Sequence, residues 1–401
     1  MKVLALAVGL VLLLSGCEEQ LTVPGHCPEF CVGGLSQVHD TVIMASPGSD
    51  STYVGYTGWA DLPAALASAG LPAGETRAWY RFPRRPDSVS VSAVADSLKP
   101  YTIDSVAISV SLVARDTTLP GLVLYLHRIP VSVDTLTDFA TLDGYLTAET
   151  LIDSIVVPDS VKRGPVKLTL KGSALDRLVF APEDSGRLAI AVRLRDAAAT
   201  GVRLGTLASA TGTASYATFV TAEAQDSTRR KQTLSLTADG NGYVRENGAP
   251  PQDPDLLWVG RTPSARSLIR FAVPRAILDS SKLLRVTLEL TPAQPLFGLL
   301  TDPAGIEVRD IIKDIGAKST PSFLVRGFQT LAFGGSEVVG IDVMNLVLLW
   351  KGATPLPQAF LVSQLPEGGS FHQPVFFTSR SAAGAPLLRI TYSRPAAVET
   401  P

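Results

Sequence analysis

Residues 104–112 read DSVAISVSL and residues 284–291 read LRVTLELT. In the first, Val106, Ile108, Val110 and Leu112 alternate with Ser105, Ala107, Ser109 and Ser111. In the second, Leu284, Val286, Leu288 and Leu290 alternate with Arg285, Thr287, Glu289 and Thr291. Strict period two marks a strand with one buried face, because a helix would carry several of these polar residues inside. Stretches 122–129, 166–170, 188–194 and 387–392 have the same character. Clusters of Gly, Pro, Asp and Ser break the runs at 46–51, 84–88, 248–255 and 366–370, where they favour turns. Short strands with frequent turns predict an all-β chain of sandwiches or barrels. One segment departs from the pattern: Pro63 leads an alanine-rich run to Ala69, which predicts one or two helical turns in an insertion.

The β pattern recurs. TYVGYT at 52–57 matches LWVGRT at 257–262, and RAWYRFP at 77–83 matches RSLIRFAVP at 266–274. The two alternating strands follow in the same order, and 219–237 matches 376–392 loosely. Four matches in one order indicate a duplication. They predict a jelly-roll-like antiparallel sandwich over residues 36–238, a second over 239–396 and a short tail at 397–401. Phe82 and Phe271 hold matched positions and are expected in the two cores, with Tyr80 and Ile269 pointing the same way. Trp350 ends an apolar segment and is expected as a core plug. The run Arg229-Arg230-Lys231 is expected in a solvated loop before the last strand of the first domain.

A chain of 401 residues exceeds what one core usually supports. Lys plus Arg is 35 against 37 Asp plus Glu, which excludes a strongly basic nucleic-acid binder. A hydrophobic fraction of 46% excludes a disordered acidic protein. Four His and three Cys leave little material for metal chemistry.

The N-terminus reads as a targeting segment. Lys2 precedes an unbroken apolar run from Val3 to Leu14. As a helix it would span roughly 18 Å, too short for a hydrocarbon core of about 30 Å and suited to a signal-peptide core. Leu14-Ser15-Gly16-Cys17 resembles the lipobox of bacterial lipoproteins. That resemblance implies a signal peptide at 1–16, a lipid-bearing Cys17 and a tether at 17–35. Several acyl chains anchor durably where one would not. Glu18, where an Asp would signal inner-membrane retention, implies an outer-membrane lipoprotein, facing the periplasm or the surface.

Cys27 and Cys31 remain. An even remainder in an exported protein suggests a disulfide. With His26 the same pair would suit copper or zinc. Cys27-Pro28-Glu29-Phe30-Cys31 also resembles the copper motif of membrane-tethered copper chaperones, whose fold requires strand–helix alternation that the downstream β runs lack.

Recognisable metalloprotease, hydrolase-elbow, P-loop and dinucleotide motifs are absent from the sequence. His39, His127 and His372 are isolated. Asp239 to Gly242 begins like a calcium loop without the later acids; a plain turn is expected, and a structural calcium stays open. The candidate ligand residues are aromatics near strand ends: Tyr53, Tyr56, Trp59, Trp79 and Trp258. Sugar rings present apolar faces that pack on such rings. Trp79 alternates with Tyr80 and Phe82 and so faces away from the core. Exposed there, it would mark a contact site; covered by the 63–70 insertion or the neighbouring domain, it would be structural.

The stretch from Gly240 to Tyr392 resembles the DNRLRE-type domains of bacterial surface and secreted proteins. The matching residues are Val259-Gly260, Arg270-Phe271, the 284–290 strand and Ile341 to Met344 with Val347 and Trp350. The closing stretches 377–380 and 386–392 match too. The resemblance implies a jelly-roll sandwich, a fold that includes carbohydrate-binding modules. In the first half only Val54-Gly55, Arg81-Phe82 and the Val106 strand carry over, so that copy is a diverged one.

Together these observations lead to the expectation of an envelope lipoprotein held to the membrane by lipid, acting as a non-enzymatic binding or adhesion module. Polysaccharide is the first candidate ligand; no nucleic-acid partner is expected. The alternatives are a structural or assembly lipoprotein that binds another envelope protein, an enzyme built on a β-sandwich, and a copper-handling protein.

Overall fold

The computed structural model describes residues 37–56, 65–71, 74–91, 98–178, 184–195, 199–224, 228–246, 253–261, 264–299, 305–324, 326–332, 334–351, 355–382 and 384–394. Cys17, Cys27, Cys31 and Trp59 lie outside the described residues. The strands begin with β1 (Gln37–Met44), β2 (Ser51–Tyr56), β3 (Ala65–Ala69), β4 (Thr76–Arg81), β5 (Val89–Ser90) and β6 (Leu98–Lys99). They continue with β7 (Tyr101–Arg115), β8 (Val123–Arg128), β9 (Leu151–Val156), β10 (Gly164–Lys171), β11 (Ala189–Leu194) and β12 (Thr200–Leu204). β13 (Ser215–Glu223), β14 (Arg229–Thr237), β15 (Gly240–Arg245), β16 (Leu256–Trp258), β17 (Ser264–Arg270) and β18 (Lys282–Leu290) follow. The last are β19 (Gly305–Lys313), β20 (Thr320–Pro321), β21 (Gly327–Thr330), β22 (Val339–Asp342), β23 (Ala359–Leu365), β24 (Val375–Phe377) and β25 (Leu387–Arg394).

The chain is all-β, with antiparallel sheets around two hydrophobic cores. In the first half a single sheet runs β14-β13-β7-β12-β3-β4-β11-β8-β9, with β10 added on β7 and β15 on β4. The long β7 organises it, pairing with β13 and then β12 along one edge and with β10 along the other. Its alternation directs Val106, Ile108, Val110 and Leu112 into the first core, with Tyr80, Phe82 and Tyr216. In the second half, β1-β25-β18-β22 and β2-β17-β23-β19-β20 share the other core. Ile269, Phe271, Val286, Leu288 and Phe360 fill it. Trp350 is fully buried there, its ring centre 4.8 Å from that of Phe360, with its indole N–H donated to Asp310 at 2.7 Å. Phe82, Phe271, Tyr80, Ile269 and Trp350 thus occupy the core positions expected of them.

Three expectations are corrected. First, 37–56 does not belong to the first sandwich. β1 pairs residue for residue with β25, from Gln37 opposite Arg394 to Met44 opposite Leu387. β2 pairs with β17. β15, placed by the expected boundary in the second domain, pairs instead with β4 of the first. The first sandwich is therefore inserted into the chain of the second, between β2 and β16. The match of TYVGYT to LWVGRT loses its meaning as a repeat, since Thr52 Oγ1 accepts a hydrogen bond from Trp258 N within one sandwich.

Second, residues 65–69 form a strand, not helical turns. β3 lies between β12 and β4, and all five of its residues are buried. Alanine's helix preference amounts to tenths of a kcal/mol per residue, which sheet pairing and burial override. Third, Arg229-Arg230-Lys231 opens β14 itself rather than a loop. The halves meet where Leu66 and Leu71 pack on Leu299 and Phe371, and Tyr243 donates its hydroxyl to Gly368 O at 2.7 Å.

Candidate functional site

The aromatics selected from sequence are mostly committed to structure. Trp79 does face away from Tyr80 and Phe82. A second apolar layer covers it, built from Ile129, Val133, Leu142 and Leu146, and leaves it 4% exposed. That layer includes α1 (Phe139–Gly144), capped by the Asp138 carboxylate on Thr141 N. The cover is therefore 129–146, not the 63–70 segment, and it removes Trp79 as a surface platform.

Tyr53 and Tyr56 lie on β2. Tyr53 packs against Leu268, Ile311, Ala359 and Leu361. Gly316, at φ +67, turns the chain so close to it that a Cβ there would sit 3.0 Å from the Tyr53 hydroxyl. Tyr56 donates to Ala317 O at 2.6 Å, and its ring centre lies 3.9 Å from the Arg266 guanidinium. Arg266 in turn holds Glu367 through two bonds of 2.6 and 2.8 Å, both buried. Burial raises the Tyr56 hydroxyl above its ordinary range. Trp258 is half-buried, and its carbonyl accepts from Ser267 Oγ at 2.8 Å. Asp239, the first residue of the calcium-like stretch, is engaged by Arg81 and Arg187.

The nearest approach to a nucleophile and base is Ser370 with His372, Oγ to Nδ1 at 2.6 Å. Both are buried. Burial, aided by the Arg203 charge, pushes the imidazole down to about 4. Gly298 lies so close that a Cβ there would collide with the ring at Nε2. With the far nitrogen closed off, this pair orders the 365–374 loop and has no room for a substrate.

The open site lies elsewhere, on the outer face of β10, β7, β13 and β14. Registers carry the same alternation across all four strands. One row is Lys171, Ser105, Phe219 and Thr233; the next is Thr169, Ala107, Ala217 and Ser235; a third is Lys167, Ser109, Ser215 and Thr237. Their neighbours in sequence, Leu168, Leu170, Val106, Ile108 and Tyr216, enter the core. Four strands give a width of about 14 Å, and seven or eight residues along β13 a length of about 25 Å. Small Ser, Ala and Thr side chains make the floor. Phe219 stands half-buried within it, with Lys167 Nζ 5.8 Å from the ring centre.

Two hollows lie at one end of this face. One of about 480 Å³ is lined by Asp104, Ser105, Lys171, Phe219, Lys231 and Thr233. The other, about 630 Å³, is lined by Lys99, Tyr101, Thr102, Thr221, Glu223 and Arg229. Thr221 donates to Asp104 at 2.5 Å, and Arg229 lies 3.8 Å from Glu223. Lys99, Lys167, Lys171 and Lys231 have no carboxylate within 4 Å among the described residues. A search for Trp and Tyr misses this face. Its signals are the Lys167-Thr169-Lys171 alternation, the polar positions of the 104–112 strand and the basic run beside it.

Comparison with known protein families, curated proteins and solved structures finds no match to this chain.

Proposed function

We propose that this chain is a lipid-anchored, non-enzymatic binding module of the cell envelope, and that its ligand is a polysaccharide laid along the β10-β7-β13-β14 face. The observation that carries the reading is Phe219, half-exposed on a trough of small hydroxyl and methyl groups. Such a floor lets a sugar ring approach the aromatic face while its hydroxyls meet Ser, Thr and Lys donors. The two acids of the face are engaged with Thr221 and Arg229, and among the described residues no nucleophile converges with them. On this reading the tether enters β1, so the second sandwich is the base and the inserted first sandwich displays the trough.

The test is affinity electrophoresis of residues 37–401 through gels containing a panel of polysaccharides. Phe219→Thr removes the ring while keeping β propensity. At least one polymer is expected to retard the parent, and the variant should bind it about tenfold or more weakly, as for a central contact residue. Equal retardation of parent and variant would move the site off this face.

A protein partner is the second reading. Ile312, Ile315, Phe323, Leu324 and Phe328 are exposed on the second sandwich, and such surface often marks a contact. Unchanged migration of the parent on every polymer would favour it.

A further inference from the structure

We infer that the polymer held by this face is an acidic polysaccharide, bearing carboxylate, sulfate or phosphate groups along its length. The inference rests on the reading of the face as the binding surface and adds the charge of its ligand. Lys99, Lys167, Lys171, Arg229 and Lys231 border the trough, against Asp104 and Glu223. The chain as a whole carries −2, so this excess is local.

Elsewhere arginines are matched to acids: Arg266 with Glu367, Arg270 with Asp314, Arg389 with Glu289 and Arg187 with Asp239. The four lysines of the trough are left without such partners among the described residues. A cluster of one sign bordering a groove concentrates its field there and attracts the opposite charge.

The arrangement selects a polymer over a small anion. Lys167 and Lys171 stand on one bank, four residues and so about 13 Å apart. Lys231 stands on β14, across the full width of the face. These ammonium groups do not converge on one point, as a phosphate site would require. They line both sides of a path. A single aromatic, Phe219, offers no series of stacking platforms of the kind that single-stranded nucleic acid uses. The hydroxyl-rich floor suits the hydroxyls of a glycan.

The experiment measures binding of the full chain, immobilised, to matched polymers: dextran against dextran sulfate, and hydroxyethyl cellulose against carboxymethyl cellulose. Polygalacturonate is added as a uronate polymer and single-stranded DNA as a polyanion without sugar-ring faces to present. At least one acidic polymer is expected to bind about tenfold or more tightly than its neutral partner, and to weaken as salt rises from about 50 to about 500 mM. The triple variant Lys167→Gln, Lys171→Gln, Lys231→Gln should lose about tenfold or more, on about half a kcal/mol per exposed charge contact. Phe219→Thr should lose binding with the charges intact, and both variants should keep the parent's unfolding midpoint.

Equal binding of neutral and acidic partners would overturn the acidic assignment and leave the glycan reading standing. Acidic binding that survives in both variants would overturn it too, as polyelectrolyte attraction elsewhere on the surface. DNA held as tightly as the best acidic glycan would also overturn it. Absence of binding to every polymer would bring down the site and the inference together.

Discussion

A chain cut to residues 239–401 is expected to remain unfolded, although the sequence presents it as a complete second domain. Every edge it needs is supplied by 37–56. β1 covers the open edge of β25 along eight residues, and β2 covers β17. Between them, Ala45 enters the core and its N–H bonds Pro386 O at 2.8 Å. The buried Asp50 carboxylate accepts from Ser379 N and Oγ at 2.5 and 2.7 Å, and Arg270 donates to Ser49 O. Losing these leaves two sheet edges and several buried donors unpaired, each worth about 1–3 kcal/mol. Their sum exceeds the roughly 5–15 kcal/mol that typically separates folded from unfolded chains.

The rescue is specific. Gln37 lies opposite Arg394 in an antiparallel pair, so Arg394 can be joined to Gln37 by a two-residue Asn-Gly turn. A permuted chain running from residue 253 to Arg394, through that turn, then from Gln37 to Tyr56 should fold cooperatively, measured by circular dichroism and urea unfolding. A folded 239–401 fragment, or an unfolded permutant, would refute this assignment of the strands.

The contrast shows what a linear reading can hold. Period two reports that Val106, Val286 and their neighbours are on strands and which side is buried. It carries no information about partners, and β1 meets its partner across more than 340 residues of chain. The alanines of β3 mislead for a related reason: small residues favour a helix in isolation but also suit a crowded inner strand. Phe82, Phe271 and Trp350 are legible because a large apolar residue in an alternating run has only the core to enter. Trp79 is half-legible. Its direction follows from parity, while its cover comes from a distant segment. Phe219 escapes notice because exposure depends on what fails to pack over a face, a property no local pattern encodes.

The same limit applies to charge. Arg229-Arg230-Lys231 reads as solvated, and it is. Its role emerges only when strand pairing sets Lys231 across the sheet from Lys167 and Lys171. The insertion of one sandwich into the other has the further effect that β1 and β25, the first and last described strands, both belong to the second sandwich. The face of the first is left unobstructed by either among the described residues.

Asp310→Asn is expected to change the pH profile of stability more than any other conservative substitution in the chain. Burial in the second core pushes the Asp310 carboxyl from 3.8 up to about 7, even though the Trp350 indole bond pulls it down. The folded state therefore holds a proton that the unfolded state has released. Asp310 contributes its full stability below pH about 4 and loses it as pH rises to about 7. His372 has the opposite sign. Its imidazole falls from 6.5 to about 4, so its contribution is complete above pH about 6.5 and is lost as pH falls toward 4. Both groups lie in the second sandwich. Each slope is about 1.4 kcal/mol per pH unit, and between pH about 4 and about 6.5 they nearly cancel.

Removing either group unmasks the other. Asn at 310 still accepts the indole N–H and cannot ionise. Relative to the parent, Asp310→Asn should gain stability with rising pH, by about 3–4 kcal/mol from pH about 4 to about 7. Relative to the parent, His372→Gln should lose stability over the same interval, by about 3 kcal/mol. Urea midpoints of the three proteins at half-unit steps across this range and one unit beyond it measure both differences. Parallel profiles for Asp310→Asn and the parent would mean that the carboxyl titrates normally and that the buried bond to Trp350 is made by a carboxylate. Parallel profiles for His372→Gln would place water at Nε2 and reopen the Ser370 pair to solvent. Opposite slopes in the two variants would show that a flat profile in the parent conceals two buried groups working against each other.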